Sequence, residues 1–292
     1  MPSLRHIRKR ISSVKNTEQI TRAMKMVAAA RFRKAQEAVI AARPFARGMQ
    51  QVLARVALNK DVQDHPLLAR REPAKKEDLY VLTSDRGLCG SFNSGVLRAL
   101  EHYLLDNYEK RDSIRVHTIG QKGYQYCKKN KLDIYENVED LLGSPNYHRV
   151  MELAQDLATR FIAGEVDRVT LLLAEFKSAV QQKVVFRTLL PLEPPELGTK
   201  DLSMVDYLFE PPKPEFLDKI VHRYLANQLF MVILESVASE QGARMTAMEN
   251  ASENAKEMIS NLTLEYNKAR QAAITRELME IVGGAEALKS AG

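Results

Sequence analysis

Residues 220–273, IVHRYLANQLFMVILESVASEQGARMTAMENASENAKEMISNLTLEYNKARQAA, decide the fold. Alternating steps of four and three from Ile220 land on Tyr224, Asn227, Met231, Leu234, Ala238, Gln241, Met245, Met248, Ser252, Ala255, Ile259, Leu262, Tyr266, Ala269 and Ala273. Only Asn227, Gln241 and Ser252 of that series are plainly polar. A seven-residue repeat keeps one apolar stripe facing a partner helix, and here it lasts about seven heptads. No proline falls between Glu215 and Leu288. The pattern predicts one long coiled-coil helix over 215–292.

The partner stripe lies at the other end of the chain. Over 1–57 the sequence is rich in Ala, Arg, Lys, Gln and Met. Its apolar residues fall at Leu4, Ile7, Ile11 and Val14, skip, and resume at Ile20, Met24 and Val27. They then weaken to Ala38, Ala41, Phe45, Met49, Val52 and Val56. This predicts a second long amphipathic helix, kinked near Pro44.

Between the helices the texture changes. LYVLTS (79–84), 114–119, VTLLLAEF (169–176) and KVVFRTLL (183–190) read as strands, the last two paired. Helical patterns cover 93–110, 121–130 and 146–163. Strands alternating with helices predict a central Rossmann-like α/β domain over 76–190 with a mostly parallel sheet. Six of the eleven prolines fall between Pro191 and Pro214, so 191–214 is read as an exposed linker.

The fold class expected is therefore α/β with a long antiparallel coiled coil. Both helices leave the same domain, so they run antiparallel. With Ala57 near Glu215, paired residue numbers total roughly 272. Leu4 then faces Lys268, and the paired length is about 80 Å at 1.5 Å per residue. Roughly the last twenty residues outrun the N-terminal helix and are read as a projecting tip.

The 292 residues carry 45% hydrophobic side chains, enough for a buried core. No run long enough to cross a bilayer as a helix occurs. The start, Met1-Pro2-Ser3-Leu4-Arg5-His6, lacks the apolar stretch of a secretory signal. Cys89 and Cys127 stand far apart without CxxC spacing, which argues against zinc and disulfides and fits a reducing compartment. The six histidines show no metal-ligand spacing, and neither HExxH nor GxSxG occurs. No cofactor, metal or catalytic residue is expected.

Charge is uneven. Residues 1–35 hold ten Lys and Arg against the single acid Glu18. Such an arm calls for an acidic partner: nucleic acid, anionic lipid or acidic protein loops. Two readings follow from these features alone, a coiled-coil scaffold whose basic arm binds nucleic acid or anionic lipid, and an α/β enzyme with helical arms. The 85–93 stretch, between a strand and a helix, has the place of a phosphate cradle but lacks GxxxxGK[ST] and GxGxxG. It reads better as a structural turn, with Gly87 and Gly90 allowing a tight path and Asp85 and Arg86 pinning it.

Three stretches, ITRAMKMVAAAR (20–31), TSDRGLCGSFN (83–93) and YNKARQAAITRELME (266–280) running on to Gly284 and Ala285, resemble the gamma subunit of F-type ATP synthases of the bacterial type. The resemblance spans the chain. Ser91 departs from it where a second glycine is usual, and 191–214 lacks the cysteine-bearing insertion of plastid versions, so thiol control is not implied. The resemblance implies a non-catalytic rotor shaft that couples proton-driven c-ring rotation to ATP synthesis. One copy would stand within three alpha and three beta subunits, with the epsilon subunit and the membrane c-ring at its foot. It would sit peripherally on the cytoplasmic face of the bacterial inner membrane, without inserting. Ring contacts implied are Arg22, Met24, Lys25, Arg244, Arg270, Gln271, Thr275, Glu277, Leu278 and Ile281. Foot contacts implied are Tyr207, Leu208 and Glu210 in DYLFEP (206–211).

Overall fold

A computed structural model describes residues 3–57, 65–71, 73–178, 181–193 and 213–290. The implied foot contacts Tyr207, Leu208 and Glu210, and most of the Pro-rich 191–214 segment, lie outside the described residues.

Helix α1 runs over Leu4–Ala57 and continues through Pro44. After it come β1 (Glu77–Leu82), α2 (Phe92–Asp106), β2 (Ile114–Ile119), α3 (Gln121–Lys129), β3 (Ile134–Val138), α4 (Tyr147–Ile162), β4 (Arg168–Phe176), β5 (Gln182–Leu190) and α5 (Lys213–Ser290). The long N- and C-terminal helices flank a central sheet. Contacts divide the chain into two compact units, one of residues 1–27 with 246–292, the other of 28–245.

In the larger unit the sheet order is β3-β2-β1-β4-β5. The β1–β2, β1–β4 and β2–β3 pairs are parallel, and β5 closes one edge antiparallel to β4. Both faces of a parallel sheet must be covered, so its strands read as apolar runs rather than as alternation. Leu79 and Val81 pack with Phe92, Val96 and Leu100 of α2 and Cys127 of α3. On the other face Tyr80, Leu82, Leu171 and Leu173 pack with Val150, Ala154, Leu157 and Phe161 of α4. Leu53 of α1 and Val221, Leu225, Leu229 and Ile233 of α5 join that same core. Each large apolar side chain so buried contributes about 1.5–3 kcal/mol.

Strand β3 is absent from the sequence reading. Its sequence IYENV is half polar because it forms a sheet edge, and it is only partly buried. Asn146, read as the first residue of a helix, is instead the cap of α4. Its Oδ1 accepts the amides of His148 and Arg149 at 2.8 and 3.4 Å.

Every position of the stripe Ile220–Ala273 is buried or half-buried. From Tyr224 to Ala243, however, burial spreads well beyond the stripe, because the sheet-side core covers α5 on a second flank. The α1 stripe needs correction. Ile20 is 60% exposed, Val27 54% and Phe45 56%, although the apolar pattern places all three inward. The heptad phase does not skip after Val14; it passes through Glu18 and Thr21, which turn inward despite their polarity. In the larger unit the buried residues of α1 are mostly alanines, Ala28, Ala35, Ala46 and Ala54, with Val39 and Leu53 among them. A pattern search that counts only large apolar residues loses the phase wherever polar or alanine side chains occupy the seam.

Candidate functional site

The Thr83–Asn93 turn is built from one sheet end outward. Ser84 N donates to Asn93 Oδ1 at 2.9 Å, and Ser84 Oγ donates to Arg86 O at 2.6 Å. The first turn of α3 is spent on this same segment. Its Gln121, Lys122 and Gly123 amides go to Asp85 Oδ1 (3.1 Å), Ser84 O (3.1 Å) and Thr83 Oγ1 (2.8 Å). These bonds occupy first-turn donors of α3; at α2, the helix that follows 85–93, Phe92 N donates to Cys89 O at 3.2 Å and Gly95 N to Ser91 O at 2.8 Å.

The backbone turns left-handed at Gly90 (φ 58°) and at Leu88 (φ 66°), a non-glycine residue that is also 64% exposed. A Cβ at Gly87 would meet nothing nearer than 3.8 Å. The tightest approach in this region is at Gly120 (φ 98°), where a Cβ would run into the Thr83 carbonyl oxygen. Asp85 Oδ1 accepts the Gln121 amide, and Arg86 contributes its carbonyl to Ser84 Oγ while its side chain is exposed. Ser84, Asn93 and Gly120 also shape the turn and have no local sequence signal, since Ser84 and Asn93 are 9 residues apart and Gly120 is 37 from Thr83.

Arg244 of α5 closes over this turn. Its Nη1 donates to Gly87 O at 2.5 Å, and its Nη2 reaches Arg86 O at 3.3 Å and Glu240 Oε1 at 2.5 Å. Arg244 and Glu240 keep only 12% and 8% side-chain exposure. Burial raises the Glu240 carboxyl above its ordinary value, with Arg244 opposing. The guanidinium is thus engaged by its own chain rather than presented outward.

In the smaller unit the helices meet antiparallel. Lys25 Nζ binds Glu249 Oε1 at 2.5 Å, and Ser252 Oγ lies 3.5 Å from Glu18 Oε1. Met24 is half-buried beside Lys25, and Met248 is buried. Arg22, Arg270, Gln271, Thr275 and Glu277 are exposed. So are Ile274, Leu278, Ile281 and Val282, at 47%, 57%, 68% and 56%. With Met279, also 68% exposed, an α-helix that shows five large apolar residues to water over nine positions has an unfilled surface.

Cys89 and Cys127 are both buried and free, and burial pushes the Cys127 thiol up to about 11. Among the described residues no helix is long and apolar enough to cross a membrane.

The smaller unit is an antiparallel helical pair and the larger unit carries a Rossmann-like sheet. The fold is similar to a chain of the Euglena gracilis mitochondrial ATP synthase seen with its F1 and c-ring (TM-score 0.67, 18% identity, 98% of this chain and 94% of that one). A chain from the central stalk and c-ring structure of the Tetrahymena thermophila mitochondrial ATP synthase matches at 28% identity and TM-score 0.63, covering 80% of this chain and 99% of that one. A family model described as ATP synthase matches residues 3–288. The ATP synthase gamma chain of Trichlorobacter lovleyi is 49% identical over 289 residues, 99% of this chain and 100% of that one. That of Geotalea uraniireducens is 46% identical with the same coverage. The chain belongs to the ATP synthase gamma-chain family.

Proposed function

We propose that this chain is the central rotor shaft of an F-type ATP synthase, coupling c-ring rotation driven by proton flow to ATP synthesis at the alpha/beta ring. The observation that carries the reading is the exposed extension of α5. Beyond Arg270, α5 has no α1 residue left to pair with, and Gln271, Thr275, Glu277, Leu278 and Ile281 face solvent. Arg22, Met24 and Lys25 join them as ring contacts lower on the pair. Arg244 acts through the turn it clamps.

The shaft is non-catalytic and asymmetric, and three equivalent ring sites meet different faces of it. Shaft angle then acts as an effector, biasing each site only as far as contacts differ between that site's conformations. Such contacts must form and break each turn, which suits exposed pairs of roughly 1 kcal/mol better than buried ones. Arg270 offers a planar fork of donors to ring carboxylates that lysine would not reproduce.

The partners in this reading are three alpha and three beta subunits, epsilon and the c-ring, with one gamma copy. Tyr207, Leu208 and Glu210 would form the foot. The complex would hold this chain peripherally on the cytoplasmic face of the bacterial inner membrane. Support comes from the relatives' names and from the central-stalk assemblies that share the fold. The test is ATP hydrolysis and proton pumping by the reassembled complex carrying Arg270→Ala or Glu277→Ala. Each should weaken coupling or assembly while leaving the isolated fold intact. Wild-type behaviour in both assays, with normal assembly, would remove these residues from the torque path.

A further inference from the structure

His65, Asp218 and His222 form a titratable cluster at the start of α5, apart from every surface discussed above. His65 Nε2 and His222 Nε2 each lie 3.6 Å from the same atom, Asp218 Oδ1. The two rings meet edge to face, with centroids 6.4 Å apart. His65 is the buried member, with 10% side-chain exposure against 63% for Asp218.

The other ring nitrogen of His65 has a backbone task. Leu67 N donates to His65 Nδ1 at 3.2 Å. Leu67 is fully buried, and its carbonyl accepts Leu192 N at 2.8 Å, just past the end of β5. Residues 65–68 therefore tie the exit of β5 to the first turns of α5.

A nitrogen that accepts an N–H carries no proton of its own. Neutral His65 thus holds its hydrogen on Nε2, the atom facing Asp218. A metal at Nε2 would require that hydrogen to move to Nδ1, into the Leu67 amide. The arrangement opposes metal binding, and among the described residues no His, Cys, Asp or Glu group fits a metal ion. A second proton has only Nδ1 to occupy, where it meets the Leu67 N–H head on.

We infer that His65 is a proton-operated clasp: neutral, it accepts the Leu67 amide and faces Asp218, and protonation at Nδ1 breaks the amide bond and loosens the 65–68 turn from β5 and α5. Among the described residues the charged or titratable groups that face it are Asp218 and His222, both from α5. Nearby Glu215 and Lys219 pair with each other at 2.6 Å, and Arg70 pairs with Glu193 at 2.8 Å. Burial holds His65 below its ordinary value of 6.5, Asp218 opposes, and His222 adds to the lowering. The sign follows. In the pH range between the folded and unfolded values the open state binds more protons. The clasp is then whole above about 6.5 and is lost as pH falls through the folded value.

The test is hydrogen exchange at the Leu67 and Leu192 amides of the full-length chain, corrected for intrinsic rates, at about pH 7.5 and about pH 5.5. Opening should rise by up to about tenfold per pH unit within the transition. His65→Asn keeps an acceptor near the Nδ1 position but cannot titrate, and its exchange should not respond to pH. His222→Gln should move the wild-type response to higher pH. NMR of the ring nitrogens should find the Nε2–H form of His65 at neutral pH, a readout that needs no variant to fold. An Nδ1–H form there, a pH response retained in His65→Asn, or exchange altered by EDTA would each overturn the clasp.

Discussion

Lys25 Nζ lies 2.5 Å from Glu249 Oε1 across the helical pair, and its residue numbers total 274, against 270 for Glu18 and Ser252. Two polar contacts, Glu18 with Ser252 on the seam and Lys25 with Glu249 on its half-exposed flank, bracket the register near 272 that the apolar stripes require. Polar residues at seam positions fix register at some cost in stability, because any slip leaves them facing apolar neighbours.

Cysteines at Ile11 and Leu262, whose numbers total 273, should form a disulfide on mild oxidation without loss of helix. Both positions are inward on the pair. A spin-label separation above about 20 Å would reject this register.

Arg244→Ala should destabilise the chain by about 1.5–3 kcal/mol, the range for hydrogen bonds to a charged group. Lysine should not rescue it, since one ammonium cannot span two carbonyls and Glu240. The pH dependence has a definite sign. Glu240 is raised from 4.5 by burial, so its contribution is whole below that value and fades as pH rises through the folded one. Without Arg244 nothing nearby offsets the buried charge as strongly. Denaturation should therefore show a larger deficit near neutral pH than near about pH 5. An equal deficit at both would mean that Glu240 is not the stranded group.

Asp78 is fully buried and binds Arg115 Nε at 2.7 Å and Arg160 Nη1 at 2.8 Å. Arg160 Nη2 also donates to Tyr80 Oη at 2.8 Å, while the fully buried His117 ring stacks on Tyr80 at 4.2 Å. Burial raises the Asp78 carboxyl, and His117 and Arg115 more than reverse that, leaving it below 3.8. Its stabilising share is present above 3.8 and is lost as pH falls through the folded value. Asp78→Asn should cost about 3–5 kcal/mol near neutral pH, and the gap to wild type should narrow in acid. Urea midpoints at both pH values provide the check.

Two glycines should respond oppositely to alanine. At Gly120 the positive φ and the Thr83 carbonyl leave no room, so Gly120→Ala should cost about 2–3 kcal/mol. Gly48 sits inside α1, and a Cβ there would meet nothing within 4 Å, so Gly48→Ala should stabilise by about 0.5–1 kcal/mol. Thermal melts of both would separate steric from entropic roles.

The sequence by itself determined the long helices, the alternating α/β middle and the antiparallel register. The helices rest on a period near 3.5 residues that apolar side chains must keep in order to be buried, and the central strands on short apolar runs, since a parallel sheet is covered on both faces. Ile220 to Ala273 was legible because large side chains mark nearly every heptad position. Glu18, Thr21, Ala28 and Ala35 were not, because their inward place comes from the helix opposite and not from their own hydrophobicity. Strand β3, the Arg244 clamp and the His65 cluster were decided by tertiary structure alone. An edge strand needs no apolar pattern on its open side. A guanidinium 157 residues from the carbonyl it binds leaves no local trace. The exposed tip of α5 was legible from both ends, since the helix outruns its partner in sequence length and its Leu278 and Ile281 remain in water once the chain is folded.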